Sequence, residues 1–403
     1  MQTGGHNNGG GRRMRRVALE GSFAAAEAAR IADVDVIAAY PITPQTHIVE
    51  RLAEMVADGE LDAEYIDVES EHSALSCLLG ASAVGARTFT ATAGQGLELM
   101  HEVLYIASSM RLPIIMAVAN RALSAPLSVW GDHSDAMAVR DSGWIQVFAE
   151  NSQEVSDLIL WAFRVGEDRK VLFPVMVHLD GFHISHVTEP VLLPDKEEVD
   201  RFLPPYCYPL PLDPDRPVTM GAYGPPEIYS EAKKAQEVAL RESKEVILRG
   251  WEEFRDAFGR SYSPVELHPP QGAKTLLLTM GSFSETAQLA VDQKRRKGED
   301  VGLLSIRLWR PFPFEELSGA ARDAHTLIIF DRSISFGGPG GPVACEVKSA
   351  LYSEQRRPKV VSFIGGLGGR DVSQKEFEQM IDRGVEIVEK GSLGMYETIG
   401  IRD

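Results

Sequence analysis

Twice along this chain, short apolar runs of strand length alternate with amphipathic or alanine-rich runs of helical length, joined by brief connections. That alternation leaves little choice of architecture. Parallel strands need crossover connections and helices supply them, so the product is a parallel sheet with helices on its faces. The first set predicts a helix over 22–32, a strand over 34–39, a helix over 46–56, a strand over 65–68 and a small-residue helix over 71–84. It continues with a strand over 88–92, a helix over 97–108, a strand over 113–119 and a long polar stretch, 124–142. A strand over 145–148, a helix over 155–165 and a strand over 172–178 complete it. The second set predicts strands over 275–280, 301–306, 326–330 and 359–364, with helices over 285–297 and 343–351.

Between the two sets, prolines are dense, from Pro204-Pro205 to Pro225-Pro226, and a Glu, Lys and Arg-rich helix follows over 229–258. The expected organisation is a flexible tail over 1–16, a doubly wound α/β domain over 17–190, a proline-rich and helical linker over 191–270, and a smaller α/β domain over 271–403. The linker reads as wrapping the surface rather than building core. A chain of 403 residues suits two such domains.

Charge and cysteine usage exclude several classes of function. With 58 acidic against 41 basic residues, the net charge of −17 repels nucleic acid and anionic membrane surfaces. The basic group Arg12, Arg13, Arg15 and Arg16 is followed by no apolar leader. No apolar run approaches the ~18 residues that span a bilayer, and the cytoplasm is the expected compartment. Cys77, Cys207 and Cys345 lie far apart and lack iron–sulfur or zinc spacing. No metal site is expected on this chain, and any redox step must finish on another one.

In a parallel α/β domain, the loops leaving the carboxyl ends of the strands converge on one crevice. On the predicted strands, the segments 40–45, 69–71, 92–96 and 120–135 share that edge. Singly, each has a plain reading. Pro41-Ile42-Thr43-Pro44 is a rigid turn, Glu71 a charged first helical turn, Arg121 a surface ion-pair partner and Gly94-Gln95-Gly96 a loop. Asp132, His133 and Asp135 fall short of a metal site and read as hydrogen-bonded loop residues. The length of the 124–142 stretch is that of a functional lid. Gly337-Gly338-Pro339-Gly340-Gly341 lacks the spacing of a nucleotide fingerprint and reads as a sharp turn or a subunit contact.

In order, these segments carry a pattern: Tyr40-Pro41-Ile42-Thr43-Pro44, Glu69-Ser70-Glu71, Thr88-Phe89-Thr90-Ala91, Gln95-Gly96-Leu97 and Asn120-Arg121-Ala122-Leu123. Gly131-Asp132-His133-Ser134-Asp135, Arg140-Asp141-Ser142-Gly143 and Asp180-Gly181-Phe182-His183-Ile184-Ser185-His186 follow. Across nearly the whole first domain this resembles the alpha subunit of the pyruvate:ferredoxin oxidoreductase (2-oxoacid:ferredoxin oxidoreductase) family. The fold implied is a thiamine-diphosphate pyrimidine-binding domain followed by a transketolase-C-terminal-like domain. By the same resemblance, Glu71 is the carboxylate on N1′ of the thiamine aminopyrimidine, holding a proton there so that the thiazolium C2 proton can leave. Thr43 matches the threonine that donates to the substrate, Arg121 the arginine that faces its carboxylate, and Pro41 a wall against the cofactor. The chain departs from the pattern in two places: Ala91–Gly96 is one residue longer, and His72 stands where a small residue is usual.

Enzymes of this kind hold Mg²⁺ and the diphosphate on a Gly-Asp-Gly run with a downstream Asn, and Gly131-Asp132-His133 breaks that run. The resemblance therefore implies a divided site. Beta, gamma and delta subunits would supply diphosphate and Mg²⁺ binding, [4Fe–4S] clusters and a remaining domain, with CoA as co-substrate and ferredoxin as acceptor. Pyruvate is the first expected 2-oxoacid; branched or aromatic 2-oxoacids, or another acceptor, stay open. Two rivals differ in class. A nicotinamide or flavin reductase subunit would need a glycine fingerprint where Pro-Ile-Thr-Pro stands, and a non-catalytic assembly subunit would not need Glu71, Thr43 and Arg121 together.

Overall fold

In a computed structural model that describes residues 14–269 and 271–402, the alternation resolves into fifteen strands and thirteen α-helices. The first half runs β1 (Met14–Glu20), α1 (Gly21–Ile31), β2 (Val36–Ala39), α2 (Thr46–Ala57), β3 (Glu64–Asp67), α3 (Glu71–Ala83) and β4 (Thr88–Thr92). It continues through α4 (Gly94–Leu99), α5 (His101–Ser109), β5 (Ile115–Asn120), α6 (Ser134–Ala138), β6 (Ile145–Phe148), α7 (Ser152–Gly166) and β7 (Val175–Asp180). Then come β8 (Thr188–Pro194), α8 (Lys196–Phe202) and the long α9 (Pro226–Phe258). The second half is β9 (Val265–His268), β10 (Thr275–Thr279), α10 (Phe283–Arg296), β11 (Val301–Ile306), β12 (Leu308–Arg310) and α11 (Phe314–Ala321). It ends with β13 (Thr326–Asp331), α12 (Pro342–Leu351), β14 (Lys359–Ile364), α13 (Gln374–Lys390) and β15 (Glu397–Thr398).

The larger sheet has the order β12-β6-β7-β5-β4-β2-β3, parallel throughout except for β12 at its edge. Successive side chains of a strand point to opposite faces, and β5 shows what each face meets. Ile115, Ala117 and Ala119 join the core beneath α1, α2 and α7, while Met116 and Val118 join the one beneath α3, α4 and α5. Both faces of β5 are covered, which is why residues 115–119 read as an unbroken apolar run rather than an alternating one. The chain moves outward to β3 on one side of β2 and to β4 and β5 on the other, so the order reverses between β2 and β4. The crevice above that reversal is where an α/β sheet accepts ligands. The smaller sheet, β15-β14-β13-β10-β11-β9, is parallel apart from β9.

Three expectations need correction. Residues 14–16 are not tail: Met14, Arg15 and Arg16 pair with Pro194, Leu193 and Leu192, as part of the antiparallel β1–β8 ribbon. The remainder of the expected tail, 1–13, lies outside the described residues. Nor does 191–270 only wrap. Along α9 from Leu240 onward, Leu240, Val246, Ile247, Trp251, Phe254 and Phe258 are buried in the main core, and Trp251 stacks on Trp161 at 4.9 Å between ring centroids. Finally, the line drawn at 271 is crossed both ways. β9 pairs with β11 in the smaller sheet, while β12 pairs with β6 at the edge of the larger one.

A buried ionic cluster ties the two halves together. Asp180, at the end of β7, accepts from Ser282 N–H (2.8 Å) and Ser282 Oγ (2.6 Å), which precede α10, and bonds His133 Nε2 at 3.0 Å. Its other strong partner is the Arg332 guanidinium, just past β13. Arg332 also donates through Nη2 to Gly131 O at 3.1 Å and lies 4.5 Å from the Phe283 ring centroid. Gly281 makes room for the cluster, since a Cβ there would lie 2.8 Å from the Asp180 carboxylate.

Candidate functional site

Four loops leave the carboxyl ends of the adjacent parallel strands β3, β2, β4 and β5, and each is fixed by its own bonds. The loop after β2 is pinned by Gln45, fully buried, whose Nε2 donates to Ala91 O on β4 at 2.7 Å. The loop after β3 ends at Ser70, whose hydroxyl accepts from Ser73 N–H at 3.3 Å and caps α3. That cap places Glu71 in the first turn, with its carboxylate directed inward.

Glu71 is only 5% exposed, yet no hydrogen bond or ion pair among the described residues reaches its carboxylate. A buried carboxylate without a partner is costly, so this one is suited to a group brought from outside. Beside it lies Thr92 Oγ1, also buried and without a partner. The space they share is kept open by Gly96: a Cβ there would lie 2.6 Å from both Glu71 Oε1 and Thr92 Oγ1. Gly96→Ala is therefore expected to displace Glu71 and destabilise the chain by about 1–3 kcal/mol, the cost of overpacking. Denaturant titration checks it; an unchanged midpoint would mean that Glu71 swings aside freely.

Arg121 follows β5 and is 7% exposed. Its Nε donates to Ser128 O at 2.9 Å and its Nη1 to Thr43 O at 3.1 Å, so the structure joins Arg121 and Thr43 through the threonine backbone. Nη2 carries no bond among the described residues and remains available. The arginine stem lies on Gly94, whose φ of +44° and missing Cβ admit it; a Cβ would stand 3.1 Å from Arg121 Cδ. Thr43 and Pro41 are exposed on the rim of the crevice, with Tyr40 beside them.

By its position in the chain Asp135 reads only as a loop hydrogen-bonding residue, and the structure makes it central. It is fully buried in α6, and its carboxylate accepts from Gly94 N–H (3.0 Å), Arg121 N–H (2.9 Å) and Asn120 Nδ2 (2.9 Å). Burial pushes its pKa up to about 7 against the pull of these donors. Asp132 accepts from Ser134 and from Gly368 N–H at 3.1 Å, and His133 belongs to the Asp180 cluster. Among the described residues, no group of three or more His, Cys, Asp or Glu side chains could hold a metal ion. His72 turns outward, its Nε2 3.9 Å from Glu102 and its side chain 44% exposed. Glu69 is exposed and bonds Ser73 Oγ. Near the glycine run 337–341, the Asp331 carboxylate accepts from Val343 N–H (2.8 Å) and Ala344 N–H (3.0 Å), filling the amino end of α12.

Residues 27–249 match the family described as "Pyruvate flavodoxin/ferredoxin oxidoreductase, thiamine diP-bdg", and residues 273–377 match "Pyruvate:ferredoxin oxidoreductase core domain II". The chain belongs to the pyruvate:ferredoxin oxidoreductase family. It is 51% identical over 370 residues to pyruvate synthase subunit PorA of Methanocaldococcus jannaschii, covering 90% of this chain and 93% of that one. Pyruvate synthase subunit PorA of Pyrococcus abyssi is 47% identical, with 94% and 96% covered. Ketoisovalerate oxidoreductase subunit VorA of Pyrococcus horikoshii is 44% identical, with 93% and 95% covered. Among solved structures, 2-oxoglutarate:ferredoxin oxidoreductase from Magnetococcus marinus, with 2-oxoglutarate, coenzyme A and succinyl-CoA bound, superposes with a TM-score of 0.69 at 18% identity. That match covers 92% of this family member and 65% of the solved chain, and it bears on the fold alone. The chain is a subunit of a 2-oxoacid:ferredoxin oxidoreductase, and no described helix is long and apolar enough to cross a membrane.

Proposed function

We propose that this chain is the alpha subunit of a heteromeric enzyme that converts a 2-oxoacid, pyruvate first, and CoA to acyl-CoA and CO₂, with ferredoxin taking the electrons. The observation that carries the reading is the buried Glu71 carboxylate, unpartnered among the described residues, beside Gly96 and Thr92. Thiamine diphosphate, when bound, supplies the nucleophile and electron sink for decarboxylation. Glu71 holds a proton at N1′ of its aminopyrimidine, and Pro41 stiffens the wall of that pocket. Arg121 donates to the substrate carboxylate, and the Thr43 hydroxyl donates to the oxoacid and orients it. Mg²⁺, the diphosphate grip and the [4Fe–4S] clusters come from beta, gamma and delta subunits, in a complex of the cytoplasm. Identity to both the pyruvate synthase and the ketoisovalerate oxidoreductase subunits supports the class of acid and leaves its side chain to be assayed.

Arg121→Ala in the assembled complex tests the substrate half of this reading. Loss of a charge-assisted hydrogen bond costs about 1.5–3 kcal/mol. At about tenfold per 1.36 kcal/mol, kcat/KM for the 2-oxoacid should fall roughly 10- to 150-fold. Exchange of the thiazolium C2 proton, followed by NMR, should stay near wild type. Lost cofactor binding with an unchanged KM would make Arg121 a cofactor or structural contact instead.

A further inference from the structure

We infer that Asp135 is the positioning residue that holds Arg121 and the Gly94–Gly96 turn in register with each other. The inference rests on Arg121 as the carboxylate ligand and extends it to the residue that aims it. Ladder pairing between β4 and β5 ends at Thr92 with Val118, so beyond that point neither strand fixes the other. Among the described residues, the hydrogen bonds that join them there meet on a single atom. Asp135 Oδ2 accepts from both Gly94 N–H, at 3.0 Å, and Arg121 N–H, at 2.9 Å. Oδ1 accepts from Asn120 Nδ2 at 2.9 Å and from Ala136 N–H at 2.7 Å.

Each bond bears on the site. Gly94 is where the Arg121 stem lies, and Gly96, two residues on, fits against the Glu71 carboxylate. Spacing between the Arg121 fork and the Glu71 pocket is thus set by one side chain that belongs to neither strand. That side chain is itself anchored. Ala136 and Met137 are buried in the core of the second half, with Trp309 and Phe312, and His133 N–H donates to Arg332 O at 2.9 Å. A carboxylate suits the position because each of the four groups that hydrogen-bond to it is a donor. An amide in its place would turn an NH₂ toward Gly94 and Arg121 or toward Asn120 and Ala136.

The test uses the assembled, thiamine-diphosphate-loaded complex at pH 8, with oxamate, a non-reacting isostere of pyruvate, titrated by calorimetry. Asp135→Asn should weaken oxamate roughly tenfold, a loss of about 1.4 kcal/mol. Its KM for the 2-oxoacid should rise in proportion while C2 proton exchange changes less. In an Arg121→Ala background the same substitution should change oxamate affinity less than about twofold, because coupled residues are not additive. Should Asp135→Asn fail to fold, Asn120→Ala, which removes one donor to Oδ1, should show the same dependence on Arg121 with a loss of about two- to fivefold. A wild-type oxamate affinity in the folded variants, with only a lower melting point, would overturn the inference and leave Arg121 as ligand. An Arg121→Ala enzyme that binds oxamate normally would overturn the carboxylate-pocket reading and this inference together.

Discussion

Glu71→Gln in the assembled complex is expected to keep thiamine diphosphate bound and to turn over roughly 10²–10⁴-fold more slowly, the usual span of lost acid–base assistance. The amide matches the carboxylate in shape but cannot hold a shared proton at N1′ in the same way. The effect should be chemical rather than structural. Ser70 still caps α3 through Ser73 N–H, and no ion pair among the described residues is broken, because Glu71 has none. Removing a buried, unpartnered charge should leave stability equal to wild type or slightly above it. The direct measurement is C2 proton exchange of the bound cofactor by NMR, with turnover beside it. An unchanged exchange rate would remove Glu71 from this role. Glu69 is no ready substitute, since it is exposed and bonded to Ser73.

The parts of this molecule that could be read in its sequence are those set by local physics. β4, β6, β11 and β14 fall within a residue of the runs that announce them, because short segments rich in apolar and β-branched residues between turn signals suit a buried strand. What escaped depends on partners distant in the chain. β1 reads as a basic tail because Arg15 and Arg16 face outward, and its partner β8 lies about 170 residues on. α9 looks like a solvated charged helix over its whole length, and its amino-terminal half does face solvent. Its buried stripe of Val246, Ile247, Trp251, Phe254 and Phe258 has helical spacing and was a missed signal. So was the start of α13, where Ser373 and Glu376 form a capping box. α6 is too short to show a period. The same division holds in the crevice. Glu71, Thr43 and Arg121 stand in recognisable segments, whereas Asp135 and Asp180 acquire their meaning from contacts across 41 and 152 residues, to Gly94 and Arg332.

Asp180→Ala should cost the chain about 3–5 kcal/mol, the price of leaving a buried charge without its partner. Asp180 is 2% exposed and Arg332 equally buried. Without the carboxylate, the guanidinium keeps among the described residues only Gly131 O, His133 and the face of Phe283. Burial alone would raise the Asp180 pKa, but Arg332, His133 and Ser282 outweigh it and hold the carboxyl well below the usual carboxylate range. The sign of the pH dependence follows. A depressed folded pKa means stability that is complete above the unfolded value of about 3.9 and is lost as pH falls below it, toward the folded pKa. The acid limb of the unfolding profile should therefore be shallower in Asp180→Ala than in wild type. Asp180→Ala combined with Arg332→Met should recover most of the loss, because apolar replacement of a buried ion pair is often neutral. Function should respond as well, since the cluster seats His133 and, through it, the start of α6, where Asp135 meets Arg121. Urea titration at pH 7 and at about pH 3 and below measures both effects. A loss under about 1 kcal/mol, the value of an exposed ion pair, would mean that water reaches this cluster and that the two halves are held chiefly by their other contacts, the β12–β6 pairing among them.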